Sequence, residues 1–514
     1  MSTSKNTRTD NRQNARHSKY SVCQVESAVE SAVGNELCGV PLCVMKTAFS
    51  VVAIFTLFLF FTVAATGNEG IRTPNIVVLM ADDLGWGDVG WHGSEIKTPN
   101  LDRLAESGMI LQQFYVQPVC SPTRSAMLTG RYPMRYGLQV GVIRPTNDFG
   151  LPIDERTLAD ALHEVGYFTA ICGKWHLGER HPEYLPRRRG FDHHYGHYLG
   201  AIDYYTHERD GGLDWHRNGK PLREEGYATD LVATEAVRLI RGHDISKPFF
   251  LYVAFLAPHS PFQVPPDIRF GEPYQHMASP RREYAAMVAS MDENIGHILA
   301  VIKEKGIEDD TIVFFCSDNG GPNPGRIADN GPLRAGKFSL YEGGVRVAAC
   351  IAWPGKIKPK SVSMQPMHIV DLYPTFIGLA GGSLEQDKPV DGLDMQDVLL
   401  KGKTIEREIL HNATVFTGAL RQGDWKIVIN GEVSSNALLG PNRRIENQQP
   451  EDRKIEVFNI KDDPYEKNDL SRSNPEKRKE LWERYMWYAG QAVPHLSVPD
   501  RNDFQVPEIW GYFD

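Results

Sequence analysis

The fold is decided by the stretch Ile76-Val77-Val78-Leu79-Met80, which runs directly into Ala81-Asp82-Asp83. An uninterrupted apolar run rich in β-branched residues predicts a strand that is buried on both faces, as the strands of a parallel sheet are. Carboxylates placed directly after such a strand lie at the carboxyl edge of the sheet, where open α/β sheets hold their functional sites. The stretch therefore predicts both a type of fold and the position of a site.

The alternation of apolar strands with amphipathic helices continues along the chain. Residues 249–255 and 311–316 are further apolar runs that predict buried strands. Apolar positions in residues 280–305 repeat with helical spacing, with Ser279 as the expected N-cap and proline at the first helical position. Shorter helices of the same kind are predicted at 156–165 and 228–240. Together these elements predict an α/β fold with a mostly parallel central sheet flanked by helices.

The chain divides into four predicted parts. Residues 1–44 are polar and lack periodicity, which predicts a disordered N-terminal extension. Residues 45–69 contain an apolar run ending in Val63-Ala64-Ala65, a pattern of either a cleaved signal peptide or an uncleaved signal anchor. Residues 70–404 carry the alternating pattern and predict a catalytic domain, and the short strands of 405–514 predict a smaller C-terminal α+β subdomain. Both interpretations of the apolar run place the protein in the secretory pathway.

The composition excludes several classes of protein. The 514 residues are 41% apolar and 24% charged, as in ordinary globular proteins and unlike disordered or collagen-like chains. The formal net charge is −9, which argues against a nucleic-acid partner because such proteins present a basic surface. Seven cysteines, an odd number, are too few and too scattered for a disulfide framework.

The most informative stretch is Cys120-Ser121-Pro122-Thr123-Arg124, which is followed by Leu128-Thr129-Gly130-Arg131. Taken alone, the pentapeptide is also consistent with a buried cysteine before a helix. The whole run resembles the signature of the type I sulfatases, although Thr123 stands where many members carry serine. In that family a formylglycine-generating enzyme oxidises the cysteine to formylglycine in the endoplasmic reticulum, which agrees with the predicted targeting segment.

The resemblance implies a defined chemistry at Cys120. A sulfate monoester is anionic, so its sulfur is a poor electrophile until that charge is neutralised, and a serine nucleophile would end as a stable sulfate ester. A hydrated aldehyde has two hydroxyls, of which one attacks sulfur. The second then loses its proton, the aldehyde reforms and sulfate leaves. The resemblance therefore implies a sulfuric ester hydrolase on an alkaline-phosphatase-like fold.

A second pair of polar residues stands after another predicted strand. Asp318 and Asn319 follow that strand much as Asp82 and Asp83 follow the first. Taken singly, such residues are more often found in turns or helix caps. Together they form an all-oxygen set suited to a hard cation such as Ca²⁺. The family resemblance makes all four calcium ligands, together with the modified Cys120.

Cationic residues form a third group. The string Gly173-Lys174-Trp175-His176-Leu177-Gly178 matches a second sulfatase signature. His259 and Lys337 stand elsewhere in the chain, and a lone histidine or lysine in such places is structural in most proteins.

The resemblance assigns a role to each of these cations. Lys174 and Lys337 hold sulfate oxygens, and Arg124 supports the nucleophile. His176 contacts the formylglycine hydroxyl and acts as the base in its regeneration. His259 protonates the leaving alkoxide, alone or together with Lys337, because sugar alkoxides are poor leaving groups. The cations and the metal then stabilise the charge of the transition state.

Residues 188–192 and 200–209 resemble the arylsulfatase B branch, the N-acetylgalactosamine-4-sulfatase-like enzymes. Members of that branch carry several disulfides, and here the sequence departs from the pattern. Apart from Cys120, the predicted mature chain keeps three cysteines, which are expected to be buried thiols: Cys172, Cys316 and Cys350. The disulfide missing near residues 144–150 lies beside the predicted pocket rim, so the resemblance does not identify the sugar.

Two further features have open interpretations. Six aromatic and histidine side chains either line a sugar cleft or belong to the core: Tyr195, His197, Tyr204, Tyr205, Trp215 and His216. The glycosylation sequon Asn412-Ala413-Thr414 is consistent with secretion, although such triplets are common by chance.

The leading hypothesis is a calcium-dependent formylglycine sulfatase that removes sulfate from a glycosaminoglycan or a related sulfated polysaccharide. Such a protein would be secreted or lysosomal, and membrane-anchored if the apolar run stays uncleaved. A phosphate or phosphonate ester hydrolase of the same fold is an alternative, but zinc phosphatases need a serine or threonine nucleophile and additional histidine and aspartate ligands. A secreted carbohydrate-binding pseudoenzyme would have lost a cysteine, lysine or histidine of the motifs, and none is lost.

Overall fold

The computed structural model describes residues 73–431, 453–496 and 504–513. The predicted N-terminal extension (1–44) and targeting segment (45–69) lie outside these residues, so both stay predictions. Within the described part of the chain the strands are β1 (Asn75–Ala81), β2 (Met109–Leu111), β3 (Phe114–Tyr115), β4 (Phe168–Lys174), β5 (His193–His197), β6 (Glu208–Arg209), β7 (Gly212–Leu213), β8 (His216–Arg217), β9 (Lys220–Pro221), β10 (Phe249–Ala254), β11 (Thr311–Ser317), β12 (Arg346–Val347), β13 (Ala349–Ala352), β14 (Ser361–Ser363), β15 (Met367–His368), β16 (Glu408–His411), β17 (Gly418–Gln422), β18 (Trp425–Ile429) and β19 (Ile455–Asn459).

Ten of the described strands form the central sheet, in the order β14-β2-β13-β11-β1-β10-β4-β5-β8-β9. The middle of the sheet, β11-β1-β10-β4-β5, is parallel, whereas the pairs β11-β13 and β5-β8 toward its edges are antiparallel. Met80 is in register with Cys316 on one side and with Ala254 on the other, and Ala254 is in register with Gly173. These strands therefore end at one level, and the predicted mostly parallel sheet is confirmed for its centre.

Both faces of the sheet are covered by apolar packing. In β1, Ile76, Val78 and Met80 pack into one core, while Val77 and Leu79 pack into the other on the opposite face. The strand is fully buried, as the uninterrupted apolar run predicts. The described α-helices, several of which supply this packing, are α1 (Pro99–Ser107), α2 (Cys120–Thr129), α3 (Leu158–Glu164), α4 (Ala228–Gly242), α5 (Ile268–Gly271), α6 (Arg281–Glu304), α7 (Glu342–Val345), α8 (Leu372–Leu379), α9 (Gln396–Lys401) and α10 (Pro475–Ala489).

The long helix α6 differs slightly from its prediction. It begins at Arg281 because Pro280 has a non-helical backbone and occupies the N-cap position predicted for Ser279. Among the described helices it is the one that is long and apolar enough to cross a membrane, yet its apolar stripe, including Met287, Met291 and Ile295, is buried in the core. The helix is therefore part of the packing of the sheet.

The C-terminal part of the chain forms a smaller sheet, which confirms the predicted fold class. The strands β16-β17-β18-β19 are antiparallel, and α10 packs against them. Lys426 of β18 is fully buried, with its Nζ atom 2.9 Å from a carboxylate oxygen of Glu342 and 2.9 Å from one of Glu466. These buried ion pairs tie the small sheet to α7, which lies next to the segment that carries Lys337.

A glycine allows β4 to reach the edge of the sheet. Gly173 has φ +110°, and a Cβ atom at this position would lie 1.9 Å from the carbonyl oxygen of Ala254 in the neighbouring strand. Only glycine combines this backbone conformation with so close an approach. The next residue is Lys174, so the glycine also places that lysine.

We expect Gly173→Ala to lower the free energy of unfolding by about 2–5 kcal/mol, because backbone strain costs about 1–2 kcal/mol and overpacking about 1–3 kcal/mol. Gly166→Ala is the matched control, since Gly166 also has a positive φ of 89° but an added Cβ would meet no atom within 4 Å. The control is expected to lose about 1 kcal/mol from backbone strain alone. Urea unfolding measures both values, and equal losses would contradict the close-approach argument.

Candidate active site

The polar residues that follow β1 and β11 meet at the carboxyl edge of the sheet. The backbone N–H of Asp83 donates to Oδ1 of Asp318 at 3.3 Å, and the Asn319 amide donates to Oδ1 of Asp83 at 2.7 Å. The backbone N–H of Asp318 donates to the carbonyl of Ala81 at 3.0 Å, which joins the two strand ends. Asp82, Asp83, Asp318 and Asn319 are all buried. The structure thus brings together four of the five predicted metal ligands, all except Cys120.

Cys120 is the first residue of helix α2, and its sulfur faces the same cluster. Sγ lies 3.7 Å from Oδ1 of Asp82, and the residue is 1% exposed. Burial, with the nearby charge of Asp318, raises the pKa of the thiol to about 12. The thiol is therefore neutral at physiological pH. Because it stands at a helix N-terminus, Cys120 is also at a position that favours a bound anion.

Arg124 lies one helical turn after Cys120 and is fully buried. Its Nη2 and Nε atoms donate to Oδ2 of Asp318 at 2.8 and 3.1 Å, and Nη2 is 3.4 Å from Oδ2 of Asp82. Its Nη1 atom donates to the carbonyl of Lys174 and to the hydroxyl of Tyr252, both at 3.2 Å. One side chain therefore connects α2 to strand ends β1, β4 and β11 and to β10.

Tyr252 is a part of the site that sequence analysis missed. It lies inside the apolar run of β10, where nothing but its hydroxyl distinguishes it from its neighbours. Burial raises its pKa above the usual range for tyrosine, so the hydroxyl stays protonated. A polar atom on an otherwise apolar buried strand is the one signal that could have identified it.

Two lysines face the carboxylates directly. The Lys174 ammonium contacts Oδ2 of Asp82, and Nζ of Lys337 lies 2.7 Å from Oδ1 of Asp83. Burial acts to raise the pKa values of both aspartates, but the surrounding positive groups together outweigh it and hold those pKa values below the usual range, with Lys174 the largest contributor at Asp82 and Lys337 at Asp83. Burial likewise opposes the charge of Lys337, and Asp83 keeps its pKa raised. Asp82, Asp83 and Lys337 are therefore charged at neutral pH.

The two predicted histidines each hold one ring nitrogen against a backbone carbonyl. For His176, Nε2 donates a hydrogen bond to the carbonyl of Ile143 at 2.9 Å, and Nδ1 has no hydrogen-bond partner among the described residues. For His259, Nδ1 lies 2.6 Å from the carbonyl of Ser260, which leaves Nε2 to face Asp83 at 3.6 Å. Burial lowers the pKa of both rings, helped by Lys174 at His176 and by Lys337 at His259.

A cavity of about 630 Å³ opens onto these groups. Cys120, His176, His259 and Lys337 all line it. Arg144 lies on its wall, so the segment in which the arylsulfatase B-like disulfide is missing does belong to the pocket rim. Four of the six candidate catalytic residues thus line one cavity, whereas Arg124, Lys174 and the four candidate metal ligands Asp82, Asp83, Asp318 and Asn319 lie outside its lining.

The cleft interpretation of the aromatic cluster is wrong, because none of its members lines this cavity. Tyr205 is 41% exposed. The other five are core residues, each at most 1% exposed: Tyr195, His197, Tyr204, Trp215 and His216. Tyr204 still supports the site, since its hydroxyl donates to the carbonyl of His259 at 2.8 Å.

The remaining sequence features are placed in the core. Cys172, Cys316 and Cys350 are buried free thiols, as predicted. The sequon residue Asn412 is 3% exposed, and its amide nitrogen is buried. The folded protein therefore does not present this sequon to solvent, and it carries no argument for secretion.

We expect Arg124→Ala to lower the free energy of unfolding by about 3–5 kcal/mol, because it leaves the buried Asp318 without its ion-pair partner and Asp82 with Lys174 alone. Arg269→Ala is the control, since Arg269 pairs with Asp267 at the surface with its side chain 66% exposed. That pair is worth at most about 1 kcal/mol. Chemical unfolding of both variants tests the assignment, and a small loss for Arg124→Ala would show that the guanidinium does not hold the site.

Comparisons with known proteins agree with this geometry. A family model described as sulfatase matches residues 74–383. Arylsulfatase J of Mus musculus is 36% identical over 489 residues, which cover 87% of this chain and 81% of that protein. N-acetylgalactosamine-6-sulfatase of Mus musculus is 37% identical over 382 residues, covering 69% of this chain and 72% of that protein.

Solved structures share the architecture. The crystal structure of Ps i-CgsB in complex with k-i-k-neocarrahexaose has a TM-score of 0.74 and 32% identity, over 84% of this chain and 95% of that chain. The phosphonate monoester hydrolase of Agrobacterium radiobacter has a TM-score of 0.58 and 18% identity, over 82% of this chain and 96% of that chain. The second likeness concerns the fold alone.

Proposed function

The chain belongs to the sulfatase family and is a sulfuric ester hydrolase with the alkaline-phosphatase-like fold, and on this premise we propose that it removes sulfate from a sulfated saccharide by means of a formylglycine made from Cys120 and a bound Ca²⁺. The observation that carries the proposal is that Cys120, His176, His259 and Lys337 line one cavity, next to a buried cluster of three carboxylates that Arg124, Lys174 and Lys337 contact. The saccharide class is supported by the similarity to a structure solved with a neocarrahexaose. A glycosaminoglycan or a related polysaccharide is the proposed substrate.

The donor set fits a calcium ion. Asp82, Asp83 and Asp318 provide buried carboxylate oxygens, and ligand atoms of Asp82, Asp83, Cys120 and His259 all lie within 4.8 Å of one another. Oδ1 of Asn319 is buried with no hydrogen-bond partner among the described residues, as expected of an oxygen meant for a cation. We propose that Ca²⁺ is held by Asp82, Asp83, Asp318 and Asn319 together with the modified residue 120. The charge of the ion would neutralise the sulfate ester.

The place of Cys120 supports its modification. Its side chain lines the cavity and lies 3.7 Å from Oδ1 of Asp82, where a nucleophile and an oxygen ligand are both needed. Formylglycine supplies the hydroxyl nucleophile. Because the residue is 1% exposed in the folded chain, the formylglycine-generating enzyme would have to act before this site closes. Such maturation requires the secretory pathway, with a secreted or lysosomal destination.

The surrounding residues have geometry suited to their proposed roles. Lys174 and Lys337 bring two ammonium groups to the position where sulfate oxygens would lie. Nδ1 of His176 is left as a proton acceptor because Nε2 donates to a carbonyl. His259 lines the cavity and holds Nδ1 on the Ser260 carbonyl, so Nε2, which faces Asp83 at 3.6 Å, is the ring atom that would carry the proton for a leaving oxygen. Arg124 positions this machinery from below.

The two alternatives are weaker. The likeness to a phosphonate monoester hydrolase extends to the fold alone, and Cys120 in its full motif favours a sulfatase. A pseudoenzyme is disfavoured because every predicted catalytic residue is present: Cys120, His176, His259 and Lys337 line the cavity, and Arg124 and Lys174 pair with Asp82.

We expect protein made in a host with a formylglycine-generating enzyme to carry an aldehyde at residue 120 and to release sulfate from sulfated saccharides. Cys120→Ala is expected to lose this activity by at least about a thousandfold, the scale of losing a covalent nucleophile. Cys350→Ala is the control, because Cys350 is a buried thiol in β13. Peptide mass spectrometry and sulfate release are the measurements. An active enzyme with only unmodified cysteine, or an active Cys120→Ala variant, would refute the nucleophile.

We expect Ca²⁺ to raise the melting temperature of the metal-depleted enzyme, because an ion that binds the native state alone stabilises it by about 2.7 kcal/mol at a hundredfold excess over Kd. Asp318→Asn is expected to remove most of this shift. Asp267→Asn is the control, since Asp267 lies at the surface and caps α5. Thermal unfolding with and without Ca²⁺ decides the matter, and a shift that is the same in both variants would place the cation elsewhere.

A further inference from the structure

One wall of the catalytic cavity is built by the C-terminal segment 504–513. Phe504 and Val506 of this segment line the same cavity as Cys120, His176 and Lys337. The fully buried Trp510 anchors the segment: its indole Nε1–H donates to the carbonyl of Arg209 at 2.9 Å, and its backbone N–H donates to that of Leu213 at 2.9 Å. The wall is therefore fixed to the hairpin β6–β7.

That hairpin brings two charged residues to the same cavity. Its turn is Asp210-Gly211, and both residues have positive φ values (54° and 92°), as a tight two-residue hairpin requires. Arg209 and Asp210 line the cavity, and the Arg209 side chain is 39% exposed. Its Nε atom lies 3.2 Å from the Asp210 carboxylate, a surface pair worth little, so the guanidinium can exchange this partner for an anionic ligand.

The wall itself is apolar and held rigidly. The Phe504 ring stacks on Trp510 with centroids 5.9 Å apart, and the Arg180 guanidinium lies 5.3 Å from its centroid. The ring therefore keeps one orientation, and together with Val506 and Phe338 it gives the cavity an apolar side. An apolar wall is unnecessary for holding a sulfate group, which the cationic floor already accommodates. It fits the C–H surface of a sugar instead.

We propose that segment 504–513 and Arg209 form a second subsite, which selects a saccharide of at least two sugars carrying a second anionic group. The inference rests on the proposed sulfatase function and names what the rest of its substrate contacts. Phe504 and Val506 pack against the sugar next to the one whose sulfate reacts. Arg209 binds a sulfate or carboxylate of the substrate that does not react.

Two variants and one control test the apolar wall and the cation. Phe504→Ala and Arg209→Ala are each expected to lower kcat/KM for a disulfated disaccharide about tenfold relative to an aryl sulfate, mainly through KM. Phe513→Ala is the control, because Phe513 belongs to the same segment, is 42% exposed and does not line the cavity. If kcat/KM falls equally for the disulfated disaccharide and the aryl sulfate, or falls for neither, the proposal is overturned.

A second readout separates an anion contact from a structural role of Arg209. The loss in Arg209→Ala is expected for the disulfated disaccharide but not for its monosulfated counterpart, to shrink as salt is raised, and to be partly restored by Arg209→Lys. A loss that is independent of salt and of the second sulfate would overturn the assignment.

Binding distinguishes this proposal from the sulfatase proposal. Calorimetry of the disulfated disaccharide with the Cys120→Ala enzyme measures the subsite without turnover. Weaker binding after adding Phe504→Ala or Arg209→Ala supports the subsite, whether or not the parent enzyme hydrolyses a sulfate ester. A parent enzyme that hydrolyses none would refute the proposed function but not the subsite. Unchanged binding in both double variants refutes the subsite whatever the activity.

Discussion

The active site depends on the ion pairs that the buried guanidinium of Arg124 makes with Asp318 and Asp82. Charged carboxylates are too costly to bury alone, and Arg124 makes the burial of Asp318 and Asp82 tolerable by pairing with both. Because the same side chain also donates to Lys174 and Tyr252, it fixes the helix that begins at Cys120 against the ends of several parallel strands. The position of the nucleophile is thus a consequence of how charge is neutralised at the edge of the sheet.

The balance of charge within the site explains how it can meet an anion. Three buried carboxylates, Asp82, Asp83 and Asp318, face three buried cations, Arg124, Lys174 and Lys337. The two lysines contact Asp82 and Asp83, the very groups proposed to hold a divalent cation. With that cation present, the pocket would become net positive and the lysines would be available to a sulfate ester. The net charge of −9 for the whole chain reveals nothing of this local arrangement.

Much of this site could be predicted because its signals are local. An apolar run followed by aspartates identifies a strand end, so β1 and β11 and their acidic residues are found where expected. The Cys120 motif carries its own arginine one turn later, so a cation near Cys120 is expected, whereas the pairing of Arg124 with Asp318 and Asp82 is not. Helix α6 begins one residue later than the sequence predicts, because Pro280 is its N-cap and not its first helical residue.

The parts that could not be predicted depend on contacts between distant segments. Tyr252 reaches Arg124 only because β10 lies between β1 and β4, an order that no local pattern encodes. The segment around Trp510 returns to Arg209 through a few hydrogen bonds, too short a pairing to leave a periodic signal. Tyr195 and Trp215 looked suitable for a sugar cleft because burial and exposure of an aromatic ring have the same sequence signature.

The most direct measurement of the central claim is a crystal structure of the mature enzyme with an unreacted sulfated saccharide. The account predicts that the sulfur atom lies next to the side chain of residue 120. Nζ of Lys174 and Nζ of Lys337 should then contact sulfate oxygens instead of the carboxylates of Asp82 and Asp83. A saccharide bound with its sulfate away from residue 120, or lysines that stay on the aspartates, would contradict it.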